Sequence, residues 1–447
     1  MSASLRLYLE TSYEGADKDL FAAFVRQCLW LCEPSGRFGV VVPETWMLLG
    51  SYSDFRYCPA TEPSRNSTGL LAETAIETLS QLGRHAFSEA DPPSNVTLFC
   101  ARVAIPDVHH RPLCFRLNTK QNDAGYDGLL RSAILSNEMA ARPAQVRFLH
   151  IPRTPFVNWA SDPILRALTD SQRVSGIAAV HDGMTTSNND RFVRFTWEVN
   201  VTGTKWRRYA KAGNYCKWFG LERYRVRWDH SGALIKAQPK SYVRNERRYF
   251  TDGLTYNLMA RGALGVRVLQ NAAFDPASIS IFLHESESAS YLLGLLNTHT
   301  ASYLLRFLAE GTKFNGGYVA TYPLPSDFNR KIGLLADECV RLKKRFACRS
   351  ILEESFEPSL SFGSGSQSLL DEMRDACDLL TLEGLLETLV VESYQFDSAI
   401  AEIESDTGTP SGWYPRILDN DGKQVLPDEE ECSSELLSEA LTLVKTT

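Results

Sequence analysis

"DKDLFAAFVRQCLWLCEPSGRFGVVVPE", residues 17–44, decides the fold class. Leu20, Phe24, Cys28 and Leu31 recur at helical spacing, the turn at Pro34–Gly36 stops the helix, and residues 38–44 follow as a short, nearly continuous apolar strand. A helix followed by a buried strand is an α/β signature. A second unit of this kind is expected from residues 69–83, "GLLAETAIETLSQLG", read as helix, to residues 95–103, "NVTLFCARV", read as another buried strand. About half of a doubly wound sheet fits in this space, so residues 1–115 are expected to form a partial Rossmann-like lobe.

Outward from there, residues 116–180 read as a connector with helical pieces. Residues 181–329 carry β-branched and aromatic clusters broken by "AGN", "DHSG" and "TDG", which predicts a strand-rich α+β domain with "YLLGLLNTHTASYLLRFL", 291–308, as an embedded helix. Residues 330–447 read as a helical region in which Leu370, Met373, Cys377 and Leu380 form a stripe, with "SFGSGSQS" at 361–368 interrupting the periodicity upstream and an acidic tail containing "DEEEC" at 428–432. No internal repeat is evident.

Composition narrows the function classes. The 447 residues are 44% hydrophobic and 11% aromatic, enough for real cores in two to four domains. No run of about 18 apolar residues is present, and "MSASLRLYLE" places charge where a signal peptide needs an apolar stretch. The chain is therefore read as soluble and cytoplasmic, with no membrane partner. Ten cysteines lie scattered without a CxxC pair, and Cys28 and Cys32 have no second ligand pair at suitable spacing, so no metal is implied.

The net charge of −7 conceals an asymmetry. Residues 191–270 hold 17 Lys and Arg against 5 Asp and Glu, a net of +12, and the remainder of the chain is at −19. A basic stretch of this kind is either a phosphate-binding face or a solvated basic surface.

"SEADPPSNVTLF", 88–99, contains Asp91-Pro92-Pro93-Ser94. Enzymes that methylate an exocyclic base amine carry an Asn, Asp or Ser, two prolines and an aromatic residue, whose ring stacks on the flipped base. Ser94 has no such face, so the tetrapeptide reads as a rigid loop between a helix and a strand, with proline fixing φ.

Together these pieces resemble the DNA adenine-N6 methyltransferases of the BREX phage-defence systems, the PglX group, and more broadly the fused type IIG restriction-modification enzymes. The resemblance runs from "KDLFAAFVRQCLWLCEPSGRFGVVVPETWMLLGSYSDFR" to "LLGLLNTHTASYLLRFLAEGTKFNGGYVATYPLP". It implies that Asp19, Leu20 and Phe21 open the helix after the catalytic tetrapeptide, near the adenosine of the methyl donor, and that Pro43 and Trp46 line the target-base side of the pocket. The family's tetrapeptide precedes that helix, which again places Asp91–Ser94 in a loop. The glycine loop for S-adenosylmethionine is not recognisable either; "SFGSGSQS" follows no apolar strand and reads as a flexible linker.

Four further signatures carry the resemblance into DNA reading. "GMTTSNNDRFVRFTWEV" resembles the opening of the family's target-recognition domain, and "KWRRYAKAGNYCKWFG" the segment that follows, through Lys205, Trp206, Lys211, Lys217 and Trp218, with Ala212-Gly213 where the family has two glycines. "YVRNERRYFTDGLTYN" matches through Arg244, Asn245, Phe250 and Gly253, and "GTKFNGGYVATYPLP" through Lys313, Phe314 and Asn315. Arg191, Arg194, Arg244 and Asn245 suit either phosphate contacts or base edges. Phe192, Trp197, Trp206, Trp218 and Trp228 read as domain core rather than stacking platforms.

The resemblance thus implies the DNA-recognition part of a site-specific adenine-N6 methyltransferase, a fragment or split subunit that binds double-stranded DNA. S-adenosylmethionine would be used only with a partner, such as an N-terminal methyltransferase subunit or another defence-system protein, that supplies the missing motifs. The alternative is a non-catalytic DNA-binding regulator or structural component of a defence complex.

Overall fold

The computed structural model describes residues 2–59, 68–83, 95–117, 126–136, 140–260, 263–285, 289–309, 313–358 and 365–396. It is a mixed α/β structure that divides into two compact units, one built on residues 1–170 with 307–310 and one on 171–306 with 311–447. Asp91–Ser94 and the acidic tail lie outside the described residues, as does the first half of "SFGSGSQS".

In the first unit, helices α1 (Ala3–Ser12) and α2 (Leu20–Leu31) precede a five-stranded sheet of β1 (Arg37–Pro43), β2 (Ala75–Gly83), β3 (Val96–Arg102), β4 (Leu113–Arg116) and β5 (Ala140–Ala141). The spatial order is β1-β3-β2-β4-β5. Only β2 and β4 run parallel; the other three pairings are antiparallel, which departs from the expected doubly wound pattern. On one face Leu82, Val96, Phe115 and Leu117 pack on Ala133 of α3 (Tyr126–Ser136). A second cluster centres on Trp46, whose ring lies 5.5 Å from that of Phe99, 5.8 Å from Phe156 and 6.2 Å from Phe55.

Two expectations are corrected here. Residues 69–83 are not one helix: a single turn, Leu70–Glu73, leads into strand β2. Register shifts between Ile76 and Thr78 and between Gln81 and Gly83 bulge the strand, so its buried Ile76, Leu79 and Leu82 fall three residues apart and imitate a helical stripe. The strand at residues 38–44 is not buried as expected: among the described residues β1 is the terminal strand of the sheet and alternates in burial, with Val41 exposed.

The face of α2 that meets the protein is also not the expected one. Ala22, Ala23, Val25, Arg26 and Leu29 are buried, with the Arg26 guanidinium 2.6 Å from Glu73, while Phe24 and Leu31 are 68% and 76% exposed. Small side chains let α2 pack close to β1, and the charge pair replaces apolar contact at Arg26.

The second unit holds two four-stranded sheets. One has the order β11-β10-β13-β6, all antiparallel, formed by β6 (Ala178–His181), β10 (Gly253–Asn257), β11 (Val266–Leu269) and β13 (Ser278–Leu283). The other has the order β12-β8-β9-β7, formed by β7 (Val193–Phe195), β8 (Trp206–Ala210), β9 (Tyr224–Arg227) and β12 (Ala273–Phe274). One core joins them, drawing Leu269 and Phe282 from the first sheet and Val193, Tyr209, Val226 and Phe274 from the second. Gly183 makes this join possible, since a Cβ there would stand 1.8 Å from the Phe274 carbonyl oxygen.

Helices cover the first of these sheets. Helix α4 (Ala289–Leu296) packs on β10 and β11 and against α6 (Arg330–Cys348), where Gly294 admits Ile332. The expected embedded helix is broken at Asn297–Thr298 into α4 and α5 (His299–Leu308), because Asn297 turns its side chain to the Val266 backbone, accepting from its N–H at 2.8 Å and donating to its C=O at 2.9 Å. In α7 (Gly365–Tyr394) the described members of the expected stripe face outward: Met373, Cys377 and Leu380 are exposed, whereas Asp375, Leu382, Leu386 and Val390 are buried. Asp375 is buried because it takes Arg345 at 3.0 Å and Arg349 at 2.9 Å.

Replacing Trp46 by Ala removes the centre of the first unit's aromatic cluster and its hydrogen bond to Thr97 Oγ1 at 3.1 Å. Urea denaturation should register a loss of about 3–5 kcal/mol; a loss below about 1 kcal/mol would show that the cluster does not hold the unit together.

Candidate nucleic-acid interface

The basic segment begins on β7 and returns on β8 and β9. Register places Arg194, Arg225 and Arg208 directly opposite one another across β7, β9 and β8. Like charges in that position repel, and the chain answers with carboxylates from residues 353–383. Glu354 takes Arg208 at 2.9 Å and also Arg225; Glu353 takes Arg223 at 2.8 Å; Glu383 takes Lys217 at 3.1 Å and accepts from Trp218 Nε1 at 2.6 Å. Glu222 stands 3.7 Å from Arg208, and burial raises its carboxyl above the usual range while Arg208 pulls the other way.

Much of the positive excess is thus neutralised internally. Lys211 pairs with Asp275 at 3.0 Å, Arg227 with Asp229 at 2.9 Å, Lys236 with Glu246 at 2.6 Å and Arg244 with Asp182. Arg267 is buried from solvent between Asn257 and Ser278, and burial lowers its pKa. Among the described residues, Arg191, Arg194, Lys205, Arg207, Lys240, Arg247 and Arg248 make no ion pair with a carboxylate.

The sequence-derived candidates therefore separate into distinct settings. Lys217 and Trp218 are buried on α7, and Lys211 is held by Asp275; these three are occupied by the fold. Trp206 is half-buried, with the Arg194 guanidinium 6.0 Å from its ring centre. Arg191 is exposed and lends its guanidinium to Gln238 at 3.3 Å; Arg194 donates to the carbonyls of Asp190 and Val193; Lys205 is exposed at the entry to β8. Asn245, in a left-handed conformation at φ 55°, donates to the Asp182 carbonyl at 2.9 Å, so Arg244 and Asn245 both lean on Asp182. Lys313 and Asn315 are exposed beside the end of β10, where Lys313 bridges Met259 and Phe314 N donates to the Leu258 carbonyl.

In the first unit the pocket candidates are likewise dispersed in role. Asp19 caps α2, its Oδ1 accepting from Leu20 N at 2.7 Å. Leu20 is exposed, Phe21 lies 5.3 Å from the ring of Tyr52, and Pro43 ends β1 opposite Val96. Trp46 is wholly buried, so its ring serves the core and offers no face to a base.

Of the aromatics read as core, Phe192, Trp218 and Trp228 are buried, but Trp197 is 55% exposed. No local pattern marks the carboxylates at 353, 354 and 383; the compensating −19 in the rest of the chain is the one sequence signal that points to them. Among the described residues no three His, Cys, Asp or Glu side chains gather as a metal site, and no helix is long and apolar enough to cross a membrane.

Glu354→Ala leaves Arg225, nearly buried, without its carboxylate. Chemical denaturation should show a loss of about 3 kcal/mol, whereas Arg191→Ala should stay within about 0.5 kcal/mol; equal effects would mean that the internal pairing carries no stability.

No family model matches the chain. Among curated proteins it is similar to the adenine-specific methyltransferase PglX of Lacticaseibacillus casei (strain Zhang), 24% identical over 389 residues, which are 81% of this chain and 31% of PglX. It is also similar to the adenine-specific methyltransferase BrxX of Escherichia coli O9:H4 (strain HS), 23% identical over 359 residues, 77% of this chain and 28% of BrxX. The chain spans about a third of the length of these relatives. Among solved structures, the type IIL restriction-modification enzyme MmeI in complex with DNA is matched over 92% of this chain and 56% of that one at 10% identity and a TM-score of 0.48. The type IIG restriction endonuclease BpuSI is matched over 88% and 53% at 11% identity and a TM-score of 0.31. On the sequence similarity, the chain is a homologue of the PglX and BrxX adenine-specific methyltransferases.

Proposed function

We propose that this chain reads DNA for adenine-N6 methylation, as the DNA-recognition part of a site-specific methyltransferase in a BREX-like or restriction-modification defence system. The observation that carries this reading is the similarity to PglX along 81% of the chain. The cations that the fold leaves without a carboxylate, Arg191, Arg194, Lys205 and Arg247, support it, because phosphate contacts need charge that is not already neutralised. Lys313 and Asn315 are exposed and add a second group of donors; Lys211, Lys217 and Trp218 drop out.

The described residues do not fit a site for S-adenosylmethionine. No described strand runs through a glycine-rich turn into a helix, and Trp46 is locked in the core. No step of the transfer is therefore assigned to them, and the methyl donor is held by further polypeptide carrying the glycine loop and the aromatic tetrapeptide. Leu20, Phe24 and Leu31 form an exposed apolar face on α2, and β1, on which α2 packs, pairs only with β3 among the described residues. An open strand edge beside an apolar face supports docking of that polypeptide here.

Binding to duplex DNA should weaken with salt at a log-log slope of about −5 to −6 if roughly six phosphates are neutralised. Substituting Arg191, Arg194 and Lys205 together by Ala should flatten that slope by about 2 to 3, whereas Lys211→Ala should leave it unchanged. A slope indifferent to the triple substitution would place the DNA elsewhere.

Mixing the chain with the donor-binding part of a PglX-type enzyme should yield N6-methyladenine, read by sequencing for modified bases. Phe24→Glu with Leu31→Glu should abolish that yield and leave DNA binding intact. A stable complex that never methylates would favour a non-catalytic DNA-binding component instead.

A further inference from the structure

Arg267 stands in the middle of β11, opposite Thr255 of β10 and bridged on its other side to Trp218, and it is 2% exposed. Its two hydrogen bonds are long: Nη1 donates to Asn257 Oδ1 at 3.3 Å and Nη2 to Ser278 Oγ at 3.4 Å. Neither acceptor carries charge, and among the described residues no carboxylate pairs with this guanidinium. Burial pushes it below its usual pKa, and the groups that pull it back are the Cys216 thiol and the carboxylates of Glu353 and Asp275. The thiol is itself raised by burial and so keeps its proton. The two carboxylates already hold other cations, Glu353 taking Arg223 at 2.8 Å and Asp275 taking Lys211 at 3.0 Å. A guanidinium withdrawn from water in this way is strongly disfavoured unless a negative charge accompanies it.

A cavity of about 30 Å³ adjoins Arg267 and is lined also by Arg208, Glu222, Thr255, Gln270 and Glu354. Charge around it does not balance. Glu354 is shared by Arg208 and Arg225, and Glu222 lies 3.7 Å from Arg208, so together with Arg267 three cations meet two carboxylates. Burial raises the Glu222 carboxyl and favours its neutral form, which widens the excess. Acceptors are short as well: Arg225 is 6% exposed, and its Nε has no hydrogen-bond partner among the described residues. A water-sized guest needs about 10–15 Å³, so the space admits one or two such bodies and is far below the roughly 300 Å³ of a nucleotide or cofactor pocket. Water would fill it and leave the charge as it is. A small anion fills it and offsets the charge.

We infer that this cavity is a binding site for a monovalent anion of chloride size, which serves Arg267 as its counter-ion. The site stands apart from the proposed DNA-binding role, because it is assembled inside the strand-rich unit from β8, β10, β11 and Glu354. An anion that binds the folded unit and not the unfolded chain adds stability as its concentration passes its dissociation constant. The chain should therefore respond to the identity of the anion at constant ionic strength, which charge screening alone does not produce.

The experiment follows thermal unfolding of the full chain without DNA, in sodium salts at fixed ionic strength, as gluconate, too large for the cavity, is exchanged for chloride or bromide. The wild-type midpoint should rise saturably, by roughly 5 °C at a hundredfold excess of halide over its dissociation constant. Arg267→Met should abolish the response, and Arg191→Ala, a surface control, should keep it. A wild-type midpoint indifferent to the exchange overturns the inference, as does a response that survives in Arg267→Met, since the halide would then bind elsewhere. Should Arg267→Met fail to fold, anomalous diffraction from wild-type crystals grown in bromide decides: a peak beside the Arg267 guanidinium supports the site, and a cavity without one overturns it.

Discussion

Three arginines, Arg194, Arg225 and Arg208, stand side by side across β7, β9 and β8, and the repulsion between the inner pair is offset by carboxylates from outside the sheet. Glu354 answers it for Arg208 and Arg225, Glu353 adds Arg223, and Glu383 adds Lys217 from α7. Cross-strand charges of like sign destabilise a sheet unless a counter-charge lies between them, so these acidic side chains are as much a part of the sheet as its own strands. The same pairing sorts the basic residues by role. Those that meet a carboxylate build the unit; Arg191, Arg194 and Lys205 do not, and their charge is left without a carboxylate partner among the described residues.

How far the sequence could be read follows from this. Strands β1 and β3, helices α2, α6 and α7 and the strand-rich middle are visible as periodic or β-branched runs. Strand β2 was not, because its bulges space Ile76, Leu79 and Leu82 like a helix. Burial departs from the apolar pattern where charge replaces apolar contact: α2 buries Arg26 with Glu73, α7 buries Asp375 with Arg345 and Arg349, and the stripes Leu20–Phe24–Leu31 and Met373–Cys377–Leu380 face out. Periodicity identifies an amphipathic helix but not which face a given set of neighbours will cover.

The basic stretch is legible in the sequence, but not which of its cations the fold neutralises. Residues 191–270 carry a net +12, yet that Lys217 is buried and paired depends on Glu383, 166 residues away. No local pattern encodes that distance. Trp197 is exposed for a local reason: β7 runs from buried Val193 to exposed Phe195, and the turn at Thr196–Glu198 carries the next ring into solvent.

Glu383 and Glu387 stand one helical turn apart on α7, and Glu387 accepts from the backbone of His299 and Thr300 at the start of α5 just as Glu383 accepts from Trp218. The helix thereby staples two distant stretches of the strand-rich unit. A boundary drawn after residue 329 would part Lys217, Arg208, Arg223 and Arg225 from Glu353, Glu354 and Glu383, their carboxylates in this chain. The cooperative block therefore reaches into α7, and its acidic end belongs with its basic beginning.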